Sequence, residues 1–225
     1  MIRKLYDNRF ELFLSSQVAI LFGSLIVPPV FFETILEPLL FLINLLAGVV
    51  LISGSPKLMW FSICVLVLNT ILFGISTTVG DEPRHISLMR LSGYFLFYVL
   101  VTVQIIKQVW YAKRVNKNVI FGLTSGYISL GLIGFFIFLT IELVIPGSFQ
   151  GGLLLNTTST DVLTDKLMYF SFITLMTIGY GDILPVTSLA QKATMFVGLI
   201  GQFYLVIITA VVVEKYISHN KMDRE

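Results

Sequence analysis

The sequence predicts an all-α membrane protein with six transmembrane helices and one shorter, re-entrant helix. Hydrophobic residues make up 56% of the 225 residues and charged residues only 12%, about half the charged fraction of a typical soluble domain. At ~20 residues per span, six spans need roughly 120 residues, and this chain can supply them. A disordered chain would be apolar-poor and charge-rich, and a disulfide scaffold needs more than the single Cys64. A net charge of +2 is too small for the basic surface that a nucleic-acid-binding protein presents.

Hydropathy predicts where the spans lie, and the breaks between them have local causes. Pro28 and Pro29 end the first span, because a residue before proline avoids the helical region. Residues 53–56 form a tight-turn signal. A further apolar run, 163–176, is too short to cross ~30 Å of hydrocarbon and is therefore predicted to be a re-entrant half-helix. The predicted spans are residues 11–27, 36–53, 57–79, 88–110, 119–145 and 189–214.

The distribution of lysine and arginine predicts the orientation of the chain. If both termini are cytoplasmic, eleven of these cations lie on the inner side of the membrane and four on the outer side. Most acidic residues then face outward, where they either raise the local cation concentration or form an ordinary solvated surface. We therefore expect a multi-pass protein of the cell membrane, in contact with membrane lipid. Asn156 begins a glycosylation sequon, whose use depends on the organism.

One short segment, residues 174–182, lies between the half-helix and the last span and reads TLMTIGYGD. Its alternating glycines, Gly179 and Gly181, permit backbone conformations that point successive carbonyls the same way. A row of carbonyls can replace the hydration shell of a cation. Irregular backbone at membrane depth is tolerated only where it is buried in protein or lines an aqueous path. The segment therefore predicts a pore.

The run Thr177-Ile178-Gly179-Tyr180-Gly181 resembles the filter signature of the tetrameric potassium-channel family, with isoleucine where valine is commoner. The resemblance implies that K⁺, the permeant ion, is coordinated by the first four carbonyls of this run and by the Thr177 hydroxyl. Each subunit would then have a pore helix and a selectivity filter. Since the chain has one such segment and four ring an ion in the family, the implied partners are three identical subunits in a homotetramer with fourfold symmetry.

The resemblance extends over about residues 119–218 and implies supporting residues around the filter. Tyr169 lies thirteen residues before Asp182, where the family has an aromatic side chain that ties the pore helix to this aspartate. Tyr169 is equally well explained as an aromatic residue of the membrane interface. Thr174 would end the pore helix and face the cavity, and Glu142 would brace the top of the final helix.

Two glycines interrupt the last apolar span. Gly201 falls nineteen residues after Asp182, where the family places its hinge glycine, and Gly198 lies close by. Either glycine is explained as a gating hinge or as a site of close packing between small residues. The sequence does not distinguish between these two explanations.

The preceding spans, within a predicted domain of residues 1–117, resemble a voltage-sensor arrangement without its charges. After Arg90 no charge follows until Lys107. A voltage sensor needs several charges, because each charge moved through the field contributes only ~2.3 kcal/mol per 100 mV. We therefore predict a voltage-insensitive domain, with Arg90 as an interfacial anchor. Residues 118–225 would form the pore domain.

These observations together predict a potassium-selective channel, not an enzyme, because the sequence has no catalytic, nucleotide-binding or metal-cluster motif. We expect no cofactor and no nucleotide or nucleic-acid partner. The alternatives are a weakly voltage-dependent or less selective cation channel, a K⁺ transporter and a non-conducting subunit. Tyr180 argues against a relaxed filter, because less selective relatives often replace it. A transporter of the related superfamily would have four unequal pore segments. A non-conducting subunit would have a degenerate filter.

Overall fold

A computed structural model describes residues 6–28, 31–79, 84–112, 116–154 and 160–222. The sequon at Asn156 lies outside these residues. A π-helical turn, Phe32–Leu36, leads into the second helix, and short strands flank the re-entrant helix. The helices are α1 Arg9–Phe22, α2 Glu37–Ile52, α3 Pro56–Val79, α4 Arg84–Tyr111, α5 Lys117–Val144, α6 Thr160–Leu175 and α7 Ser188–Met222, and the strands are β1 Phe149–Gln150 and β2 Leu184–Pro185.

Five helical segments among the described residues are long and apolar enough to cross a membrane, so this is a multi-pass membrane protein of the all-α class. They coincide with five of the predicted spans. They are Thr34–Ile52, Pro56–Ile75, Arg84–Tyr111, Lys117–Val144 and Ser188–Glu214.

The first predicted span, residues 11–27, differs from the other five. α1 has 14 residues and covers only ~21 Å at 1.5 Å per residue, less than the ~30 Å of a hydrocarbon core. It passes into the 3-10 turn Gly23–Leu25, shortly before Pro28. Six complete spans therefore stay a prediction.

α6 has the length and position expected of the re-entrant half-helix. It contains 16 residues, or ~24 Å of helix, and the glycine-rich segment follows it directly. It begins at Thr160, three residues before the predicted start at 163, and ends at Leu175. The division of the chain into domains at residues 117 and 118 stays a prediction.

α5 is the central helix, because α1, α4, α6 and α7 of the same chain all pack against it. Small residues on α5 allow the close approach that membrane helices use. A Cβ at Gly131 would lie 2.3 Å from the Phe172 ring, and one at Gly134 would lie 2.5 Å from the Ser171 hydroxyl. The Ser171 hydroxyl donates to the Gly131 carbonyl at 2.6 Å. The re-entrant helix is thus seated directly on α5.

Buried polar side chains connect α1, α2, α4 and α5. The Asn44 amide donates to the Ser16 hydroxyl at 2.7 Å and accepts from the Tyr98 hydroxyl at 2.5 Å. The Gln17 amide donates to the Ser129 hydroxyl at 2.8 Å. Hydrogen bonds between membrane helices average ~0.6 kcal/mol each. The network orients α1, α2 and α4 against α5. We call these three helices, together with α3, the peripheral helices.

Candidate functional site

The backbone alternates in sign of φ through the glycine-rich segment that follows α6. Thr177, Gly179 and Gly181 have φ angles of +57°, +55° and +81°, whereas Ile178 and Tyr180 between them do not have positive φ. Left-handed residues inserted between right-handed or extended ones turn successive carbonyls toward one side. This is the geometry that a carbonyl-lined cation path requires.

Thr177 is strained, and the sequence analysis missed this. It is the one non-glycine residue with a positive φ in the described part of the chain. A β-branched residue rarely adopts this conformation, which costs about 1–3 kcal/mol and persists only where the surroundings impose it. The sequence indicated an unusual backbone conformation only at the two glycines, because a threonine in a sequence does not indicate a left-handed backbone.

Hydrogen bonds to the end of α6 hold the N-terminal part of this segment. The Ile173 carbonyl accepts from the amides of Ile178 and Gly179, at 2.9 and 3.3 Å, and the Thr174 carbonyl accepts from the Thr177 amide at 3.0 Å. The segment therefore folds back on the helix that precedes it. These contacts fix the chain at and just after Thr177, which is the kind of surrounding in which a strained conformation persists.

Asp182 holds the C-terminal end of the segment. The Tyr169 hydroxyl on α6 donates to one oxygen of the Asp182 carboxylate at 2.6 Å, and the Ile183 amide donates to the other at 3.1 Å. The hydrogen bond to Asp182 raises the pKa of Tyr169 to about 12, because it favours the neutral phenol. The structure thus brings together the tyrosine and the aspartate that the sequence analysis paired.

A two-stranded antiparallel sheet lies at the same end of the segment. Phe149 pairs with Pro185 and Gln150 with Leu184. Gly151, which follows β1, has a φ of +156°, and a Cβ there would lie 2.0 Å from the Asp182 carbonyl oxygen. The chain before α6 therefore packs against the backbone that leaves the glycine-rich segment. The sequence did not predict this sheet, because two-residue strands are too short for an alternating pattern.

Glu142, at the C-terminal end of α5, fixes the loop that leads into β1. Its carboxylate accepts from the amides of Gly147 at 2.6 Å and Phe149 at 3.0 Å. Within this loop, the Ser148 carbonyl accepts from the Val186 amide at 2.8 Å. Glu142 thus holds the loop whose Ser148 contacts the chain just before α7, and the brace on the final helix that the resemblance implied stays a prediction.

The two glycines of α7 have different surroundings. A Cβ at Gly201 would lie 2.5 Å from the Leu175 carbonyl oxygen, whereas one at Gly198 would lie 3.9 Å from the Thr174 carbonyl oxygen. α7 continues as one helix through both positions. Close packing therefore accounts for glycine at 201 but not at 198, and a hinge role stays a prediction for both.

Arg90 of α4 lies in a cleft that is lined by no residue of the glycine-rich segment. Arg90 lines a cleft of about 130 Å³ together with Glu37 and Tyr94 of the peripheral helices and Leu139 of α5. Glu37 is only 6% exposed. The cleft places this acid and this base at the junction between the peripheral helices and α5.

Comparison with known proteins matches part of this region to one family model. Residues 149–218 match the family model described as ion channel, which covers β1, α6, the glycine-rich segment and most of α7. No curated protein and no solved structure matches the chain. The match, together with the membrane-spanning helices, supports a transport protein of the ion-channel type.

Proposed function

We propose that the protein conducts K⁺ selectively and passively, down its electrochemical gradient. The observation that carries this proposal is the backbone of residues 177–181, where positive φ angles at three alternate positions orient successive carbonyls alike. In this proposal the carbonyls of Thr177, Ile178, Gly179 and Tyr180, with the Thr177 hydroxyl, replace the water that K⁺ loses. Binding at several weak sites in series lets each ion enter and leave.

The proposed pore is a homotetramer, because one chain provides only one wall of such a path. The uncovered surface of α7 supports this assembly: 17% of its most apolar stretch is buried within the chain, against 56% for α5. Large apolar side chains of α7 such as Met195 and Phe203 are exposed. Tyr180 is also 72% exposed. Neighbouring copies related by fourfold symmetry would cover these surfaces.

In this proposal the chain lies in the plasma membrane and both of its termini are cytoplasmic. The eleven-to-four distribution of lysine and arginine between the two sides supports this orientation. The outer frame of β1, β2 and Asp182 then faces the outside. Membrane lipid surrounds the peripheral helices.

Weak voltage dependence is the alternative that one observation favours, namely the position of Arg90 beside the buried Glu37. One charge crossing the whole field gains ~2.3 kcal/mol per 100 mV, so Arg90 alone would produce a shallow response. Recording current against voltage for the parent and for Arg90→Gln separates the two proposals. We expect the two curves to coincide; a shallower curve in the variant would assign the voltage response to Arg90.

Flux from proteoliposomes tests the proposed conduction. Vesicles that contain the purified protein are loaded with K⁺ or with Na⁺, and ionophore clamps the voltage. K⁺ efflux should greatly exceed Na⁺ efflux, and Gly179→Asp should abolish it, because an acidic side chain cannot occupy the carbonyl-lined path. Equal rates for the two ions would contradict selectivity and favour a less selective cation channel.

A further inference from the structure

The last four carbonyls of any α-helix lack partners within the helix, and those of α6 find partners in two different ways. Three of them accept from amides of the chain that follows directly. These pairs are Met176 N to Phe172 O at 2.9 Å, Ile178 N to Ile173 O at 2.9 Å and Thr177 N to Thr174 O at 3.0 Å. The fourth, the Leu175 carbonyl, accepts from the Tyr127 hydroxyl of α5 at 3.3 Å. A side chain of another helix thus completes the end of α6.

α7 encloses the same carbonyl from another side. A Cβ at Gly201 would lie 2.5 Å from the Leu175 oxygen, so only glycine lets α7 approach this closely. Leu175 is 1% exposed. α5, α6 and α7 therefore meet at one backbone oxygen, which lies two residues before the strained Thr177.

A second tyrosine connects Tyr127 to α7. Tyr204 lies three residues after Gly201, and its ring centroid is 5.8 Å from that of Tyr127. Its hydroxyl donates to the Leu123 carbonyl of α5 at 2.8 Å. Gly126 leaves the space for this contact, since a Cβ there would lie 2.4 Å from the Tyr204 hydroxyl oxygen. A displacement of α7 along α5 would therefore move the ring that packs against Tyr127.

We propose that Tyr127 is a positioning residue for the filter and that its contact with Tyr204 couples the position of α7 to the filter. The proposal rests on the proposed function and adds a regulatory device to the same site. The Tyr127 hydroxyl holds the end of α6 through the Leu175 carbonyl, and this end supports the strained residue at which the filter begins. At 3.3 Å the bond is longer than the usual 2.7–2.8 Å of an O–H···O bond, so a shift of the Tyr127 ring, transmitted from α7 by the contact with the Tyr204 ring, would weaken it further.

Single-channel recording of Tyr127→Phe tests the positioning role, because this variant loses the hydroxyl and keeps the ring. We expect the open probability to fall by about 3- to 10-fold, the equivalent of one net hydrogen bond, while the unitary current is unchanged. Tyr111→Phe is the matched control, because Tyr111 is 79% exposed at the end of α4, and it should behave as the parent does. An unchanged open probability in Tyr127→Phe would overturn the proposal.

Combining two variants tests the coupling to α7. Tyr204→Leu, which removes the ring that packs against Tyr127, should lower the open probability as well. If the two tyrosines act through one contact, the double variant should lose at least threefold less than the product of the two single effects. A double effect equal to that product would overturn the coupling.

Hydrogen exchange separates failure of this proposal from failure of the proposed function, because it does not need conduction. Exchange at the amides of Thr177 and Ile178 should be several-fold faster in Tyr127→Phe than in the parent, in the full-length protein. A parent that fails to conduct K⁺ contradicts the proposed function alone. Equal exchange rates in parent and variant overturn the positioning role whether or not the parent conducts.

Discussion

The pore segment, from β1 to α7, and the peripheral helices are stabilised by different kinds of contact. In the pore segment backbone groups contact one another: amides of residues 177–179 bond carbonyls of α6, and two strands pair at the C-terminal end of the glycine-rich segment. In the peripheral helices side chains such as Asn44 and Tyr98 make the long-range hydrogen bonds. In the pore segment a Cβ at Gly151 or Gly201 would lie 2.0 or 2.5 Å from a backbone oxygen, whereas the side-chain contacts of the peripheral helices tolerate exchange. Substitutions in the pore segment should therefore alter conduction, and those in the peripheral helices should alter stability.

The largest effect is expected for alanine at a filter glycine. Gly179 has a φ of +55°, which is strained for any residue with a Cβ, so Gly179→Ala should lower K⁺ flux by at least 100-fold. Gly74→Ala in α3 is the matched control: a Cβ there meets nothing within 4 Å, and its flux should equal the parent's. Flux from Gly179→Ala near the parent level would contradict a carbonyl-lined filter.

A smaller but still large effect is expected at the contact between α7 and α6. Gly201→Ala places a Cβ 2.5 Å from the Leu175 carbonyl oxygen, a backbone atom that cannot move aside, so both the unfolding temperature and K⁺ flux should fall. Gly198→Ala, with 3.9 Å to its nearest neighbour, should leave the unfolding temperature unchanged. If Gly201→Ala leaves the unfolding temperature unchanged and alters flux alone, a hinge explains Gly201 better than packing does.

The bond between Tyr169 and Asp182 should produce a pH-dependent effect. The pKa of Tyr169 is raised to about 12, so the neutral phenol is favoured in the folded state. The stabilisation is then fully present below the ordinary pKa of about 10 and is lost as pH rises through 12. Tyr169→Phe should unfold at a lower temperature than the parent at pH 8, and the difference should disappear as pH approaches 12. A difference that persists at pH 12 would argue against this hydrogen bond.

The smallest functional effect is expected in the peripheral network. Tyr98→Phe removes the hydroxyl that donates to Asn44 and should lower the free energy of unfolding by about 1 kcal/mol, within the range for such bonds between membrane helices. The ratio of K⁺ to Na⁺ flux should not change. A changed ratio would show that the peripheral helices set filter geometry, which the contrast between the two regions does not predict.

The features that were predictable from sequence have local signals. Hydropathy located five long helices and the re-entrant helix, and a spacing of thirteen residues paired Tyr169 with Asp182. The contact of Tyr127 with Leu175 joins residues 48 positions apart, so no local sequence pattern predicts it. The strain at Thr177 and the close approach at Gly201 likewise depend on neighbours that only the folded chain brings together. Sequence therefore predicted the elements and the motif, but not the contacts that hold the motif in place.

The most direct test of potassium selectivity is the reversal potential of the purified protein in a planar bilayer with K⁺ on one side and Na⁺ at equal concentration on the other. A tenfold preference for one monovalent ion displaces this potential by about 59 mV. We predict a displacement of at least about 120 mV in the direction of K⁺ preference, which corresponds to a hundredfold selectivity. A reversal potential near zero would contradict potassium selectivity, even if the protein passes a large current.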